Sequence, residues 1–414
     1  AYGYVFFKVA AENFIHIPFE CGKLCEQSNV QFGEGGAGTF SDGKLTTGIK
    51  DPRCRTVLEV FCEHGAPKSI LWNAKPHIGT DILSGVIKKI RKEIEALGGE
   101  VKFQSKLVGI YEKGGKLCGI RYKTPNGETE LNCNRVILAV GHSARSTFEM
   151  LKDKRISMER KTFSVGARIE HPQRLIDRAQ LGKFSEFKEF CPTDYKLSAH
   201  LKSGRGVYTF CMCPGGAVVN ASSEMGGVVT NGMSYHKRNG ENANAAVLVQ
   251  VNPEDFPGDD VLAGVQFQRE IERKAFLVSG GYFATSQLLG DFMKDKPSKA
   301  FISVAPSFLP RVRFGRMEDC LPRFITESMR EALPMFDRKL QGFLYDDAVL
   351  TAPETRSSSP VRILRNDYYE SSLFGLIPCG EGAGYAGGIM SAAVDGIRCA
   401  EALLSHSALR EREN

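Results

Sequence analysis

The chain has 414 residues, 43 glycines and a net charge of +6, so it is long enough for two or three domains with packed cores. Glycine that is clustered without a period excludes a collagen-like chain and indicates close approach of the backbone to a ligand. The sequence has no basic run dense enough for nucleic acid and no apolar run long enough to cross a membrane. Twelve cysteines without paired spacing indicate reduced thiols, so we expect a cytoplasmic protein.

A glycine-rich loop at residues 29–44 is the first informative feature in chain order, because residues 1–28 contain no clear motif. Gly33, Gly35 and Gly38 match the dinucleotide spacing G-x-G-x-x-G, but polar residues follow where an apolar helix should begin. We therefore expect a loop that lies against a flat or anionic ligand, and a plain surface loop is the alternative. The donors to that ligand would be Thr39, Ser41 and Lys44.

A helix and a series of short strands come next. Thr80 and Asp81 are candidates to cap a helix that runs to about Leu97. Hairpin punctuation predicts an antiparallel meander from the strands at 101–103, 107–111, 117–122 and 129–132. The apolar run at 136–140 predicts a parallel strand that is buried on both faces. Gly141 and His142 follow at its carboxyl end, where open parallel sheets bind ligands.

The pattern changes again at about residue 161, where strands alternate with long polar or glycine-rich segments. The predicted strands are 163–169, 207–211, 218–219, 228–229 and 246–251, and the predicted helices are 266–277 and 321–333. We therefore predict an α/β fold that carries an inserted, mostly β domain of α+β type. The first domain would span residues 1–155, the insertion 156–350, and the return to the first domain 351–414.

The last element, residues 374–404, combines a short strand, a glycine turn and a helix. The strand ends at Gly380 and Glu381, and a helix with an apolar face begins at about Gly387. A helix N-terminus behind such a turn is a site for a phosphate or another electron-rich group. Gly382, Gly384 and Gly387 also spell G-x-G-x-x-G, but the second strand of a pyrophosphate fingerprint does not follow.

Seven stretches together resemble one family, the FAD-dependent dehydrogenases, which are also called NAD(FAD)-utilising dehydrogenases. The resemblance covers most of the chain from about Gly22 onward. It implies a flavoprotein fold of the glutathione-reductase type, with an FAD-binding parallel sheet, the meander, and an inserted domain that closes over the flavin ring. The stretches are Asn29–Lys44, Lys75–Gly79, Val136–Arg145, Phe210–Gly216, Asn231–Asn244, Glu354–Arg362 and Cys379–Gly396.

The same resemblance implies which residues hold FAD. Glu381, where Asp is more usual, would accept a hydrogen bond from the ribityl chain. The turn at Gly387 would place a helix N-terminus at the pyrimidine edge of the flavin, where it stabilises negative charge by up to about 2 kcal/mol. The implied cofactor-binding residues are Gly33, Gly35, Gly36, Thr39, Ser41, Lys44, Leu107, Gly141, Gly380, Glu381, Gly387, Gly388, Ile389 and Met390.

The sequence departs from this family at its N-terminus. The family's βαβ fingerprint, with G-x-G-x-x-G and an acid for the ribose, should precede Cys21, and residues 1–20 do not resemble it. Without that helix, the FAD pyrophosphate loses its main anion site. A module that acts by binding alone, without catalysis, is therefore the alternative to an enzyme.

The candidate catalytic residues are Arg356, His236 and Cys213. Arg356 could hold an anionic substrate over the flavin, or it could form a structural pair with a glutamate. His236 belongs to a polar group with Asn231, Tyr235 and Lys237 that could line a substrate cleft or form a solvated loop. Cys211 and Cys213 alternate on a strand, so we expect both to point the same way, either toward the flavin or as inert buried thiols. His142 could contact the cofactor or be satisfied by the backbone.

These features predict an FAD-dependent oxidoreductase that transfers a hydride between a small-molecule substrate and flavin. NAD(P)H is a candidate electron donor, although no separate nicotinamide-binding βαβ is visible in the sequence. A flavoprotein that acts on RNA is a third hypothesis, and the lack of a basic stripe argues against it. We expect no metal site, because no metal-ligand spacing stands out, and no nucleic-acid or membrane partner.

Overall fold

The structure, a computed structural model, describes residues 5–7, 24–26, 29–187 and 192–411. Most of residues 1–20, where the sequence lacks the family's fingerprint, lies outside the described residues. Within the described ranges, no helix is both long enough and apolar enough to cross a membrane.

Strands and helices alternate along the chain in a mixed α/β arrangement, as predicted. The strands are β1 (Val5–Phe7), β2 (Glu100–Lys102), β3 (Lys106–Lys113), β4 (Lys116–Thr124), β5 (Gly127–Asn132), β6 (Val136–Leu138), β7 (Met158–Arg160), β8 (Phe163–Pro172), β9 (Ser198–His200), β10 (Gly206–Cys213), β11 (Ala217–Asn220), β12 (Thr230–Met233), β13 (Asn242–Val251), β14 (Ala284–Leu288), β15 (Val312–Phe314), β16 (Val349–Glu354), β17 (Val361–Ile363) and β18 (Leu376–Pro378). The helices are α1 (Arg53–Glu63), α2 (Thr80–Ala96), α3 (Arg145–Asp153), α4 (Gln173–Leu181), α5 (Ala263–Ser279), α6 (Leu289–Met293), α7 (Met317–Cys320), α8 (Arg323–Asp337) and α9 (Ile389–Glu411).

Short parallel pairs and the meander form one part of the molecule. β6 pairs with β18 in parallel, which brings the ends of two strands that are far apart in sequence to the same edge. β1 pairs with β2, also in parallel. β3, β4 and β5 form the antiparallel sheet that the turn residues predict.

A seven-stranded sheet forms the other part, in the order β15-β14-β16-β8-β13-β10-β9. Its central strand β8 is buried at every residue except the last. α8 covers this sheet because Ile325, Met329 and Leu333 recur at helical spacing and all enter the main hydrophobic core. The β-rich region predicted from residue 161 onward is therefore this sheet with helices packed against it, together with a two-stranded sheet of β11 and β12.

Several local expectations differ from the structure. β6 is parallel but not buried on both faces, since Ile137 is 36% exposed and the strand borders a cavity. The strand expected at 228–229 is β12, which begins two residues later. Gly79, not Thr80, precedes the first turn of α2, because the Thr80 hydroxyl donates to Thr39 O in the glycine loop.

Candidate functional site

A single large cavity lies where the two parts of the molecule meet. Its volume is about 3450 Å³, well above the roughly 300–1,000 Å³ that is typical of pockets for small ligands. The glycine loop, the ends of β6 and β18 and the first turn of α9 line one side. The end of β10, from Thr209 to Met212, lines the other side. Such a space is large enough for an extended dinucleotide together with a second molecule.

Most of the predicted cofactor-binding residues line this cavity, and two do not. Thr39 is 2% exposed and Met390 is 3% exposed, and both are packed beneath the wall. The remaining predicted residues in the wall are Gly33, Gly35, Gly36, Ser41, Lys44, Leu107, Gly141, Gly380, Glu381, Gly387, Gly388 and Ile389.

Glycines keep part of this wall open. A Cβ added at Gly36, Gly141, Gly380, Gly387 or Gly388 would meet no protein atom within 4 Å. Gly36, Gly141 and Gly380 have positive φ, so their backbone conformation is enough to account for glycine at these positions. For Gly387 and Gly388, neither the backbone nor neighbouring atoms require glycine. We infer that glycine at these two positions leaves room for a ligand beside the first turn of α9.

The turn after β18 carries a charged pair. Asp395 on α9 accepts a hydrogen bond of 2.7 Å from Gly380 N, which fixes the turn against the helix. Glu381 then projects to the cavity, where its Oε1 lies 3.0 Å from His142 Nδ1. The other ring nitrogen, His142 Nε2, is buried and has no hydrogen-bond partner among the described residues. It is a polar atom that a ligand in the cavity could satisfy.

The glycine loop is held in place by its own hydroxyls and by the seven-stranded part of the molecule. Thr39 and Ser41 donate their hydroxyl hydrogens to Glu34 O and Gly38 O, at 3.0 and 2.7 Å, so these hydroxyls stabilise the loop itself. Asp42 is fully buried and accepts hydrogen bonds from Arg238 and Ser234.

Lys44 of the same loop crosses to β10. Its Nζ donates to Met212 O and lies 3.5 Å from a carboxylate oxygen of Asp194. The loop is therefore fastened to the opposite side of the cavity at two points, Asp42 and Lys44.

Arg356, predicted to hold an anionic substrate, is paired with a glutamate. Its Nη2 donates to Glu272 Oε2 at 2.8 Å and its Nε donates to Glu272 Oε1 at 3.0 Å. Arg145 donates to the same two oxygens, each at 2.8 Å. Burial acts to raise the pKa of Glu272, but the charges of Arg145 and Arg356 outweigh it and hold that pKa well below its usual range. Glu272 thus joins α3, α5 and the segment after β16.

His236 and Cys213 do not line the cavity. The His236 ring stacks on His77, with centroids 5.1 Å apart, and its Nδ1 lies 2.9 Å from Ile78 O. The His236 backbone packs so closely on Gly79 that a Cβ there would lie 2.2 Å from His236 N. Cys213 is fully buried. Among the other candidates, Asn231 lines the cavity, while Tyr235 is 57% exposed on the surface.

Cys211, in contrast, does line the cavity, because a β-bulge interrupts β10 between Phe210 and Cys213. Cys211 has a φ of 43°, and Arg168 donates to its carbonyl at 2.8 Å. Arg168 is itself paired with Glu354 inside the seven-stranded part. The regular alternation of a strand is therefore interrupted here, and Cys211 reaches the cavity while Cys213 stays buried behind it.

One cluster in the described residues has the geometry of metal ligands. Cys379 Sγ, an Asp395 carboxylate oxygen and Cys399 Sγ all lie within 4.8 Å of one another. However, Arg365 donates to both Asp395 oxygens, at 2.7 and 3.0 Å, and its Nη1 lies 3.6 Å from Cys399 Sγ. A guanidinium already neutralises this carboxylate, so the cluster does not fit a divalent cation.

FAD, the cofactor implied by the sequence, fits the cavity on two observations. Glycine at 387 and 388 is explained by space for a ligand, and not by the protein's own packing. His142 Nε2, beside the turn after β18, is a buried polar atom of a cavity-lining residue that has no partner in the described structure. Both kinds of observation are expected where a flat, polar molecule completes the wall.

Comparison with known proteins agrees with this assignment. A family model described as "FAD-dependent protein, C-terminal domain-like" matches residues 162–357. An uncharacterized protein of Clostridium beijerinckii is 51% identical over 386 residues, which cover 92% of this chain and 72% of that protein.

Solved structures align at lower similarity. A triple mutant of the flavin-dependent brominase Bmp2 aligns with 12% identity and a TM-score of 0.37, over 80% of this chain and 58% of that one. An oxidoreductase from Methanosarcina mazei aligns with 11% identity and a TM-score of 0.34, over 88% of this chain and 64% of that one. The chain spans less than two thirds of the length of each of these two structures.

Proposed function

We propose that this chain, a member of the family whose FAD-dependent protein model matches residues 162–357, is an oxidoreductase that passes a hydride between a small-molecule substrate and FAD. The observation that carries the proposal is the wall beside α9, where Gly387 and Gly388 leave open space against a helix N-terminus. FAD, when bound, supplies a hydride acceptor or donor.

The chain's own residues would have three tasks. The first turn of α9 stabilises negative charge at the open wall, by up to about 2 kcal/mol in a partly buried site. Glu381 offers a carboxylate, and His142, whose Nδ1 lies 3.0 Å from that carboxylate, offers its unpartnered Nε2 to polar groups of the cofactor. The loop fastened by Asp42 and Lys44 keeps water from the space between the two parts of the molecule.

A substrate would occupy the remaining space on the side of β10. Residues there include Tyr195, Asn231 and Cys211. Tyr195 Oη has no partner among the described residues, so it is available to orient a polar substrate. We also propose NAD(P)H as electron donor, bound transiently in this same space.

The redox proposal is tested by anaerobic reduction. The purified chain is loaded with FAD and mixed with NADH or NADPH, and the flavin absorption is followed. Bleaching by either nicotinamide supports an oxidoreductase that uses this donor. If dithionite bleaches the bound flavin but neither nicotinamide does, the donor part of the proposal is wrong. If bound flavin also fails to turn over with any artificial electron acceptor, the chain is a binding module and the catalytic proposal falls.

A further inference from the structure

The bulge in β10 brings two thiols together at the cavity. Cys211 lines the cavity, and Cys213 lies directly behind it with its Sγ 3.2 Å from Cys211 O. Residues two apart in an extended strand are separated by roughly 6.6 Å between Cα atoms, near the upper end of the about 4.4–6.8 Å that disulfides span. The positive φ of Cys211 and the bulge bend the strand at this point.

The surroundings of Cys211 hold a positive charge on each side. Arg168 donates to Cys211 O from the seven-stranded part, and Lys44 donates to Met212 O from the glycine loop. A non-glycine residue with positive φ is strained, and such residues persist where neighbouring groups fix them. Here the two cations fix the bulge and also favour a thiolate at its tip.

The protonation of the pair follows from these contacts. The hydrogen bond from Cys213 lowers the pKa of Cys211 to about 6; burial acts in the opposite direction, and the charges of Arg168 and Lys44 add to the lowering. The pKa of Cys213 is raised well above its ordinary value, first by that same hydrogen bond and then by burial. Two acids face the pair, Asp42 and Glu354, and Asp42 acts to raise the pKa of Cys211. Of the two thiols, Cys211 is therefore the one that loses its proton first.

We propose that Cys211 and Cys213 form a redox-active dithiol in the cavity wall, with a small-molecule disulfide as its substrate. The Cys211 thiolate attacks one sulfur of the disulfide, which forms a mixed disulfide and releases the other half as a thiolate. The Cys213 thiol then passes its proton to the thiolate released first and attacks Cys211 Sγ, which breaks the mixed disulfide and releases the second half as a thiolate. The protein gains a Cys211–Cys213 disulfide, and its two electrons go to the small molecule.

Cys211 attacks first because it faces the cavity, whereas Cys213 is fully buried and can reach only its neighbour. The step needs no flavin, so it stands apart from the proposed function. The pair can also be assayed by itself, because residues 206–237 form one tryptic peptide that contains these two cysteines and no others.

The test treats the reduced full chain with oxidised glutathione and weighs that peptide. We expect the wild-type peptide to become lighter by two hydrogens. In Cys213→Ser the second step is blocked, so the peptide should instead gain one glutathionyl group on Cys211. In Cys211→Ser neither product should form. A wild-type peptide that stays unmodified while exposed Cys118 is glutathionylated would overturn the proposal.

A second readout separates a redox role from a structural one and also covers a variant that fails to fold. The alkylation rate of Cys211 by iodoacetamide should be half-maximal near pH 6, against about pH 8.5 for a cysteine in a short model peptide. Cys213→Ala removes the hydrogen bond and should raise the midpoint by about one pH unit or more, whereas Cys213→Ser keeps a donor and should raise it less. A wild-type midpoint equal to that of the model peptide contradicts the proposal.

Discussion

Replacing Glu272 by Gln should destabilise the junction between the two parts of the molecule by about 3–5 kcal/mol, the cost of breaking a buried ion pair from one side. The Glu272 side chain is 2% exposed. It accepts hydrogen bonds from Arg145, Arg356 and the Thr355 hydroxyl, at 2.6 to 3.0 Å. Gln keeps the shape, but removes the charge and turns an NH₂ group toward two guanidiniums.

The loss is large because little else compensates the two cations. Glu224 lies 2.6 Å from Arg145 but 3.9 Å from Arg356, and it is 29% exposed. A single domain is stable by only about 5–15 kcal/mol, so the variant should unfold at clearly lower urea concentration. Hydrogen exchange should rise first at α3 and at Thr355–Ser357, the segments that Glu272 joins.

Urea unfolding at pH 7, followed by far-UV circular dichroism, measures the effect. The matched control is Glu327→Gln, which removes a surface partner of Arg323 on α8 and should leave the midpoint unchanged. If the free energy of unfolding of Glu272→Gln falls by less than about 1 kcal/mol, the ion pair does not hold the junction, and Arg356 is free for another role.

Two further predictions concern pH and the cofactor wall. Burial lowers the pKa of His171 from 6.5 to about 4, so His171 contributes about 3 kcal/mol of stability above pH 6.5 that is lost as the pH falls toward 4. In His171→Gln, urea unfolding should show a shallower loss over that window, and an unchanged pH dependence would refute this. Gly388→Ala should weaken FAD binding roughly tenfold in a fluorescence titration, because its methyl group enters the cavity. The control is Gly85→Ala, where an added Cβ also meets no protein atom but lies outside the cavity wall, so this variant should bind FAD like the wild type. Equal affinities of all three proteins would show that FAD does not lie beside Gly388.

Local signals in the sequence predicted much of the framework. The meander follows from alternating strands and glycine turns, and α8 follows from apolar residues at helical spacing. The strand, turn and helix around Gly380 and Ile389 were likewise visible, because each is formed by neighbours in sequence.

Partners distant in sequence could not be predicted in this way. Glu272 contacts Arg145 across 127 positions and Arg356 across 84, so the sequence left open which glutamate Arg356 meets. The bulge at Cys211 depends on Arg168, 43 positions away, and on Lys44, which bonds to Met212 across 168. A strand pattern alone predicts regular alternation, and it therefore did not predict the bulge between Phe210 and Cys213.

FAD binding by the 414-residue chain tests the central claim most directly. The protein is purified, incubated with FAD, desalted and denatured, and the released flavin is measured against protein. The cavity beside α9, with its open glycines and the unpartnered His142 Nε2, predicts near-stoichiometric FAD and a flavin spectrum perturbed from that of free FAD. A folded protein that retains no FAD after this treatment would contradict the account.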